Sequence, residues 1–322
     1  MTGIGEAIVS QRKHMKTNLE LAVDLVPAPR VVAPAATAPA VEEERALPAD
    51  QITWILPSSG WQVINVKELW RYRELLYFLV WRDVKVRYKQ TVLGVSWAIL
   101  QPMMMMAVFT VFLGRLAGLP SGSVPYPLFV YAGLLPWTFF STALVQAGNS
   151  VVVSERVITK IYFPRLAVPF ASVGVAVVDF AIALGMLGVL MLWYNVVPGV
   201  GLLLVPVIFL FMLLAATGTG TLLAALNVSY RDFRYVIPFL VQVWMFATPT
   251  VYMELSDDKV GYLKTLMAVN PMTGLIANFR AACLGGAIDW LSLGIAGICA
   301  SVVFLAGCLY FRRVEDQFAD VI

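Results

Sequence analysis

Long apolar runs without charge dominate the pattern of the chain. Residues 116–154 and 166–178 contain no Asp, Glu, Lys or Arg. A membrane helix needs about 20 mostly apolar residues. On this criterion the sequence predicts six transmembrane helices, at residues 91–114, 128–152, 166–193, 202–228, 235–253 and 290–311. The predicted fold class is an all-α membrane protein.

The segment before the first predicted span is amphipathic. In residues 67–89, apolar side chains at spacings of three to four mark one face, and basic side chains mark the other. Such a helix is expected in the membrane interface. Its candidate residues are Arg71, Arg82, Lys85 and Arg87. A topology-setting anchor and a docking surface for a cytoplasmic partner both fit this pattern.

A short helix is predicted before the last span. Asn270 can cap it, Pro271 suits its first turn, and Gly285 or Gly286 can end it. The helix would be about 21 Å long, at about 1.5 Å per residue, so it cannot cross the bilayer. We expect a re-entrant helix with residues 264–269 as its descending partner. A structural plug and a gate both fit.

Charge fixes the expected orientation. Only 13% of the 322 residues are charged and 60% are hydrophobic, whereas a soluble domain has about 25% charged residues. Fourteen Lys and Arg residues flank the spans on one side, and four flank them on the other. The positive-inside rule puts both termini in the cytoplasm. The predicted organisation is a disordered tail at 1–50, a cytoplasmic segment with the interface helix at 51–90, and a six-span domain at 91–322.

The chain has little catalytic chemistry. It lacks a Gly-Lys dipeptide and hence a P-loop, and His14 is its single histidine. We therefore predict no catalytic residue, no metal and no cofactor in this chain, and no nucleic-acid partner. Asp179 is the one ionisable residue well inside a predicted span. A proton relay, a substrate contact and a hydrogen-bonded packing role are all open, and no partner charge at depth is evident in the other spans.

An aromatic cluster begins the second span. The stretch YPLFVYAGLLPWTFF contains six aromatic residues, namely Tyr126, Phe129, Tyr131, Trp137, Phe139 and Phe140. Trp and Tyr gather at membrane interfaces, and aromatic faces also stack on the apolar faces of sugars. Both an interfacial belt and a sugar contact fit the composition.

The stretch SERVITKIYFPR, residues 154–165, places a glutamate, a lysine and two arginines between two charge-free runs. The charge distribution assigns it to the cytoplasmic side. A contact with a soluble protein would explain why these charges interrupt the apolar pattern.

The chain resembles the membrane subunit of polysaccharide-exporting ABC transporters, which move O-antigen, capsule or teichoic-acid-type polymers. Seven stretches carry the resemblance, in the family's order, over residues 64–322: LVWRDVKVRYKQTVLGVSWAILQP, YPLFVYAGLLPWTFF, KIYFPRLAVP, NVSYRDFRYVIP, FATPTVYM, VNPMTGLIANFR and YFRRVEDQFADVI. The tail before about residue 50 is not part of it.

The resemblance implies a function and partners. Two copies of such a permease pair with two copies of a cytoplasmic ATPase, which binds ATP and Mg, and export a lipid-linked glycan across the bacterial inner membrane. SERVITKIYFPR would be the coupling helix that contacts the ATPase, through Ser154, Glu155, Arg156, Lys160, Tyr162 and Phe163. The six aromatic residues of the second span would line the substrate path. The re-entrant helix would form the extracellular gate, through Met272, Leu275, Ile276 and Phe279.

Other functions were weighed against this one. A drug or small-lipid ABC permease shares the same plan. An ion-coupled secondary transporter would normally have internal repeats and paired intramembrane charges. Of these features, the sequence shows only one intramembrane charge, Asp179. A membrane enzyme acting on lipid-linked sugars would need clustered acid and base groups at one membrane face. We find none convincing, so the chain is predicted to be a transport subunit and not an enzyme.

Overall fold

The computed structural model describes residues 70–89, 91–116, 118, 124–160, 163–250 and 269–318. Their secondary structure is helical. The α-helices in chain order are α1 (Arg73–Lys89), α2 (Trp97–Phe109), α3 (Tyr126–Val153), α4 (Glu155–Ile158), α5 (Ala167–Trp193), α6 (Val205–Ser229), α7 (Phe233–Phe246), α8 (Pro271–Leu284) and α9 (Trp290–Val314). The predicted tail at 1–50 lies outside the described residues, so the domain boundaries stay predictions.

Five helical segments are long and apolar enough to cross a membrane. They are Gly94–Leu116, Tyr126–Val153, Ala167–Trp193, Val200–Ser229 and Trp290–Val314. Two of them include stretches of other helix types: Gly94–Leu116 begins with the 3-10 turn Gly94–Ser96 and ends with the π-helical stretch Thr110–Leu116, and Val200–Ser229 begins with the 3-10 turn Val200–Leu204. These segments match the first four predicted spans and the last one to within a few residues. The prediction of an all-helical, multi-pass membrane protein is confirmed.

The fifth predicted span is shorter than expected. Its helix, α7, ends at Phe246 and not at Met253, and its 14 residues extend about 21 Å. Pro249 explains the early end, because proline lacks an N–H and disfavours a helical conformation in the residue before it. Residues 251–253 lie outside the described part, and the count of six spans is not established.

Helix α3 lies at the centre of the bundle. It packs extensively against α5 and α6, and α6 packs against α9. Most side chains of α3 are buried, including Leu128, Leu135 and Leu144. A helix that is apolar on all sides is expected at such a position. By contrast, Pro102 is the one buried residue of α2.

Small residues let the helices approach closely. A Cβ atom at Gly307 on α9 would lie 2.1 Å from the carbonyl oxygen of Gly218 on α6. A Cβ atom at Gly220 would lie 2.6 Å from the Cβ of Ala147 on α3. Small residues in membrane helices allow this backbone contact and its dispersion energy.

The caps predicted for the short helix are confirmed. The Asn270 side chain accepts a hydrogen bond from the Met272 N–H, Pro271 begins α8, and Gly285 ends it with a φ of 77°. Glycine reaches this left-handed conformation without steric cost. Of its predicted descending partner, residues 264–268 lie outside the described residues.

Candidate functional site

Helix α1 packs lengthwise on α5. Near its start, Tyr72 and Leu76 lie in a cluster with Phe163 and Val168. One turn further, a Cβ atom at Gly174 of α5 would lie 2.7 Å from the Cγ2 of Val80. The predicted apolar face of the amphipathic helix is therefore turned toward protein. The role of α1 as an interface helix stays a prediction.

The end of α1 provides the partners of Asp179. Arg87 forms an ion pair with Asp179, with 2.8 Å between Nη2 and Oδ2. The Tyr88 hydroxyl donates a hydrogen bond to Oδ1 of the same carboxylate. With its side-chain amide oriented to satisfy both neighbours, Gln146 of α3 accepts from Arg87 and donates to the Ser172 carbonyl at 3.0 Å. The cluster thus links α1, α3 and α5.

Tyr88 stays protonated in this cluster. Burial raises the pKa of the Tyr88 phenol, and its hydrogen bond to Asp179 raises the pKa further. The phenol therefore remains a donor at neutral pH. Asp179 is largely covered, with 17% of its side chain exposed, so its two partners satisfy a carboxylate that would be unfavourable in isolation.

This cluster corrects the sequence reading of Asp179, which found no partner charge for it. Within the described residues the other spans indeed supply no charge to Asp179, and its partners lie on α1, before the first span. No periodicity in a single sequence could reveal this contact, because it depends on how α1 packs on α5.

The other basic residues predicted for α1 differ in their surroundings. Arg71 and Lys85 are exposed. Arg82 pairs with the neighbouring Asp83, with 2.8 Å between Nη2 and Oδ1. Among the four predicted residues, Arg87 is the one that reaches a span.

The predicted coupling segment forms a single exposed turn, α4, directly after α3. Glu155, Arg156 and Lys160 are exposed, and the Ser154 N–H bonds back to the carbonyl groups at the end of α3. Tyr162 lies outside the described residues. The free charges at this turn leave it available for contact with another protein.

Phe163 does not belong to this exposed surface, although it was predicted to contact the ATPase. Its side chain is buried in the cluster with Tyr72, Leu76 and Val168. The large apolar ring packs beneath α1, which lowers its exposed apolar area. Phe163 is therefore covered by the chain itself, and its contact with the ATPase stays a prediction.

The base of the segment is fixed to the C-terminal end of the described chain. Arg165 donates to the backbone carbonyl of Glu315, and the Glu315 carboxylate pairs with Arg312 at 3.5 Å. Burial raises the pKa of the Glu315 carboxyl, and Arg312 opposes this change.

Five of the six predicted aromatic residues of α3 are buried inside the helical bundle. Tyr131 and Phe140 are fully covered, and Phe129, Trp137 and Phe139 are nearly so. Phe139 contacts Phe180 and Phe209, with ring centroids 5.4 and 5.1 Å apart. An interfacial belt, which would face lipid, does not describe these residues. Tyr126 lies at the start of α3 with a ring centroid 6.2 Å from that of Phe129.

The predicted gate residues are also buried. Met272, Leu275, Ile276 and Phe279 of α8 are fully covered and lie in the main core. Close by, Arg280 places its guanidinium 3.9 Å from the centroid of the Phe129 ring and donates to the Thr250 carbonyl at 2.6 Å. Helix α8 is therefore held firmly against α3.

The chain with this helical architecture matches a known membrane-protein family. The model of the ABC-2 type transporter family matches residues 74–284, a range that runs from α1 to the end of α8. The chain belongs to the ABC-2 type transporter family. The family resemblance found in the sequence motifs is confirmed.

Curated relatives of this ABC-2 transporter chain are similar over nearly their whole length. An O-antigen export system permease protein, RfbA, from Myxococcus xanthus is 32% identical over 264 residues, which cover 80% of this chain and 98% of the relative. A protein of the same name from Klebsiella pneumoniae is 24% identical over 253 residues, which cover 77% of this chain and 95% of the relative.

Replacing Asp179 with Asn in this ABC-2 chain is expected to lower stability. Asn keeps the shape and one acceptor for Tyr88 but removes the charge that pairs with Arg87. Arg87 is 37% exposed, so solvent screens the pair, and we expect a loss of about 1 kcal/mol. The measurement is the thermal unfolding midpoint of the purified protein in detergent.

Asp83→Asn is the matched control, because Asp83 pairs with its neighbour Arg82 on the same helix. That variant should leave the midpoint nearly unchanged. Equal shifts in the two variants would contradict a specific role of Asp179 in attaching α1.

Proposed function

We propose that the chain is the transmembrane subunit of an ATP-driven exporter that moves a lipid-linked, O-antigen-like polysaccharide across the bacterial cytoplasmic membrane. One observation carries the proposal. The chain is 32% identical to an O-antigen export system permease protein and covers 98% of that protein. The membrane-family match over residues 74–284 supports the transport class.

The energy comes from a separate ATPase. The sequence lacks a P-loop, so ATP and Mg bind to a cytoplasmic partner, present in two copies. Exposed Arg156, Lys160 and Glu155 on and beside α4 support this turn as its contact. Charges around such a contact mainly affect association and orientation.

A second copy of the chain completes the membrane part. Large apolar side chains on α7 are exposed in the single chain, among them Tyr235, Phe239 and Phe246. Most of α2 is exposed too. Lipid and a second protomer together would cover these faces. In this arrangement α7 is the fifth of six spans, both termini are cytoplasmic, and α1 lies at the inner membrane interface.

The path and the gate are assigned to α3 and α8. The aromatic residues of α3 and the apolar face of α8 pack together, as the contact of Phe180 with both Phe139 and Phe279 illustrates. In the resting state this buried cluster would seal the protomer against ions. Passage of a glycan then requires these helices to separate. The aromatic rings would lose their contacts with one another and contact the sugar instead.

Reconstitution tests the function. The chain and its ATPase in lipid vesicles are expected to move lipid-linked glycan to the opposite leaflet when ATP and Mg are supplied. A glycan-cleaving enzyme on that side measures the transported fraction. An ATPase with its P-loop Lys replaced by Ala is the matched control and should support no transport.

Two results would favour the other functions. Transport of small amphipathic compounds but not of glycan would indicate a drug or small-lipid permease. Transport driven by an ion gradient without ATP would indicate a secondary transporter.

A further inference from the structure

A cavity of about 260 Å³ lies beside the Asp179 cluster. It is bounded by the end of α1, the beginning of α2 and the facing sides of α3 and α5. Pockets for drug-sized ligands are usually about 300–1,000 Å³. The size therefore suits one small molecular unit and not a long chain.

Polar groups from each of these elements line the cavity. They are Arg87, Tyr88, Thr91, Gln101, Thr138, Thr142 and Asp179. Because Arg87 and Asp179 pair with each other, their charges offset. The wall therefore carries no net charge to attract an anion or a cation, and an ion would have to lose its hydration without compensation, so a neutral occupant is favoured.

Thr138 and Thr142 retain unused hydrogen-bonding capacity. Hydroxyl groups in membrane helices commonly bond to a carbonyl of the preceding turn, as Ser172 and Thr219 do here. Among the described residues, neither the Thr138 hydroxyl nor the Thr142 hydroxyl has a hydrogen-bond partner in the protein, and the same is true of the Gln101 amide. Threonines four residues apart lie on one face of a helix, and here that face borders the cavity.

Aromatic rings form the other part of the wall. Trp97 lies at the start of α2 and Phe139 lies between the two threonines on α3. Trp97 is 45% exposed, and it forms part of the cavity wall. A ligand with both an apolar face and several hydroxyl groups would use the rings and the spare polar groups together.

We propose that this cavity binds one neutral monosaccharide unit. Its hydroxyl groups donate to Asp179 and exchange hydrogen bonds with Thr138, Thr142 and Gln101, and its C–H face packs on Trp97. The identity of the sugar as part of an exported glycan rests on the proposed function. The binding chemistry itself does not, since it follows from the cavity wall.

Direct binding tests the site. The purified full-length chain in lipid nanodiscs is titrated with a panel of neutral methyl hexosides, and saturation-transfer NMR reports binding. We expect transfer to at least one hexoside. Replacing both Thr138 and Thr142 with Val keeps the side-chain shape and removes two hydrogen bonds, so affinity should fall about 10-fold.

Matched variants exclude a folding artefact. Thr219→Val removes a hydroxyl from α6 that bonds to the Ala215 carbonyl, and it should leave binding unchanged. Gln101→Leu changes an exposed position on α2 and should weaken binding without loss of folded protein.

The outcomes separate the site from the function. Hexoside binding without glycan transport in vesicles would keep the site and reject the proposed function. Glycan transport without hexoside binding would reject the site, and so would unchanged binding in the Thr138→Val, Thr142→Val double variant. Native mass spectrometry would reveal a phospholipid retained by the unmodified protein. If that phospholipid is lost from the double variant, the cavity is assigned to lipid and the proposal is overturned.

Discussion

Reversing both charges at Arg156 and Lys160, by substitution with Glu, is expected to abolish most export while the protein stays inserted and folded. Both side chains are exposed on or beside α4, and within the described part of the chain they form no ion pair or hydrogen bond. Like charges placed against a complementary partner surface cost several kcal/mol, and every 1.4 kcal/mol is about tenfold in affinity. We expect at least a tenfold loss of ATP-dependent glycan transport.

The measurement is transport in vesicles, with the amount of bound ATPase determined in parallel. The loss should vary with salt, because ions screen exposed charges. The matched control is Arg231→Glu with Arg234→Glu. It makes the same charge change at another exposed pair, with Arg231 in the turn after α6 and Arg234 in the first turn of α7. Normal transport by the Arg156, Lys160 variant, or an equal loss in the control, would remove α4 from the coupling role.

Adding a single methyl group at Gly307 is expected to disrupt the bundle. The new Cβ would lie 2.1 Å from the Gly218 carbonyl oxygen, a distance that no side-chain rotation relieves because the obstacle is backbone. Helices α6 and α9 must move apart along one of the most extensive contacts in the fold. Overpacking usually costs about 1–3 kcal/mol, and we expect Gly307→Ala to reach the upper end of that range.

Gly188→Ala is the control for this variant. Gly188 lies within α5, and a Cβ atom there would meet open space. Because Ala favours a helix over Gly by up to about 1 kcal/mol, this variant should be neutral or slightly more stable. The stability of both variants is measured by thermal unfolding and by the monodisperse fraction in size-exclusion chromatography. Similar stability of the two variants would show that α6 and α9 tolerate separation at Gly218.

The sequence predicted the elements of the fold because their causes are local. Long charge-free runs located five spans to within a few residues. Asn270, Pro271 and Gly285 located α8, since capping depends on side chains and backbone within one turn. The end of α7 was missed because hydropathy continues past Phe246, whereas the break at Pro249 is conformational.

The contacts between elements were not predictable in the same way. Asp179 has its partners on α1, and Phe163 packs inside although charged residues surround it in the sequence. The aromatic residues of α3 fitted a lipid belt on composition and a sugar path through the family resemblance, but the rings pack on each other. In each case the side-chain chemistry allows several environments, and the packing of helices distant in sequence selects one of them.

The sparse packing of α2 has a consequence for biogenesis. Synthesis proceeds from the N-terminus, so α2 enters the membrane before the helix that supports it. Its contacts are chiefly with α3 and α5, where Met106 and Phe109 meet Phe129, Val130 and Leu134. Until α3 and α5 are synthesised, α2 lacks most of its contacts within the bundle, so its early stability in the membrane depends mainly on lipid.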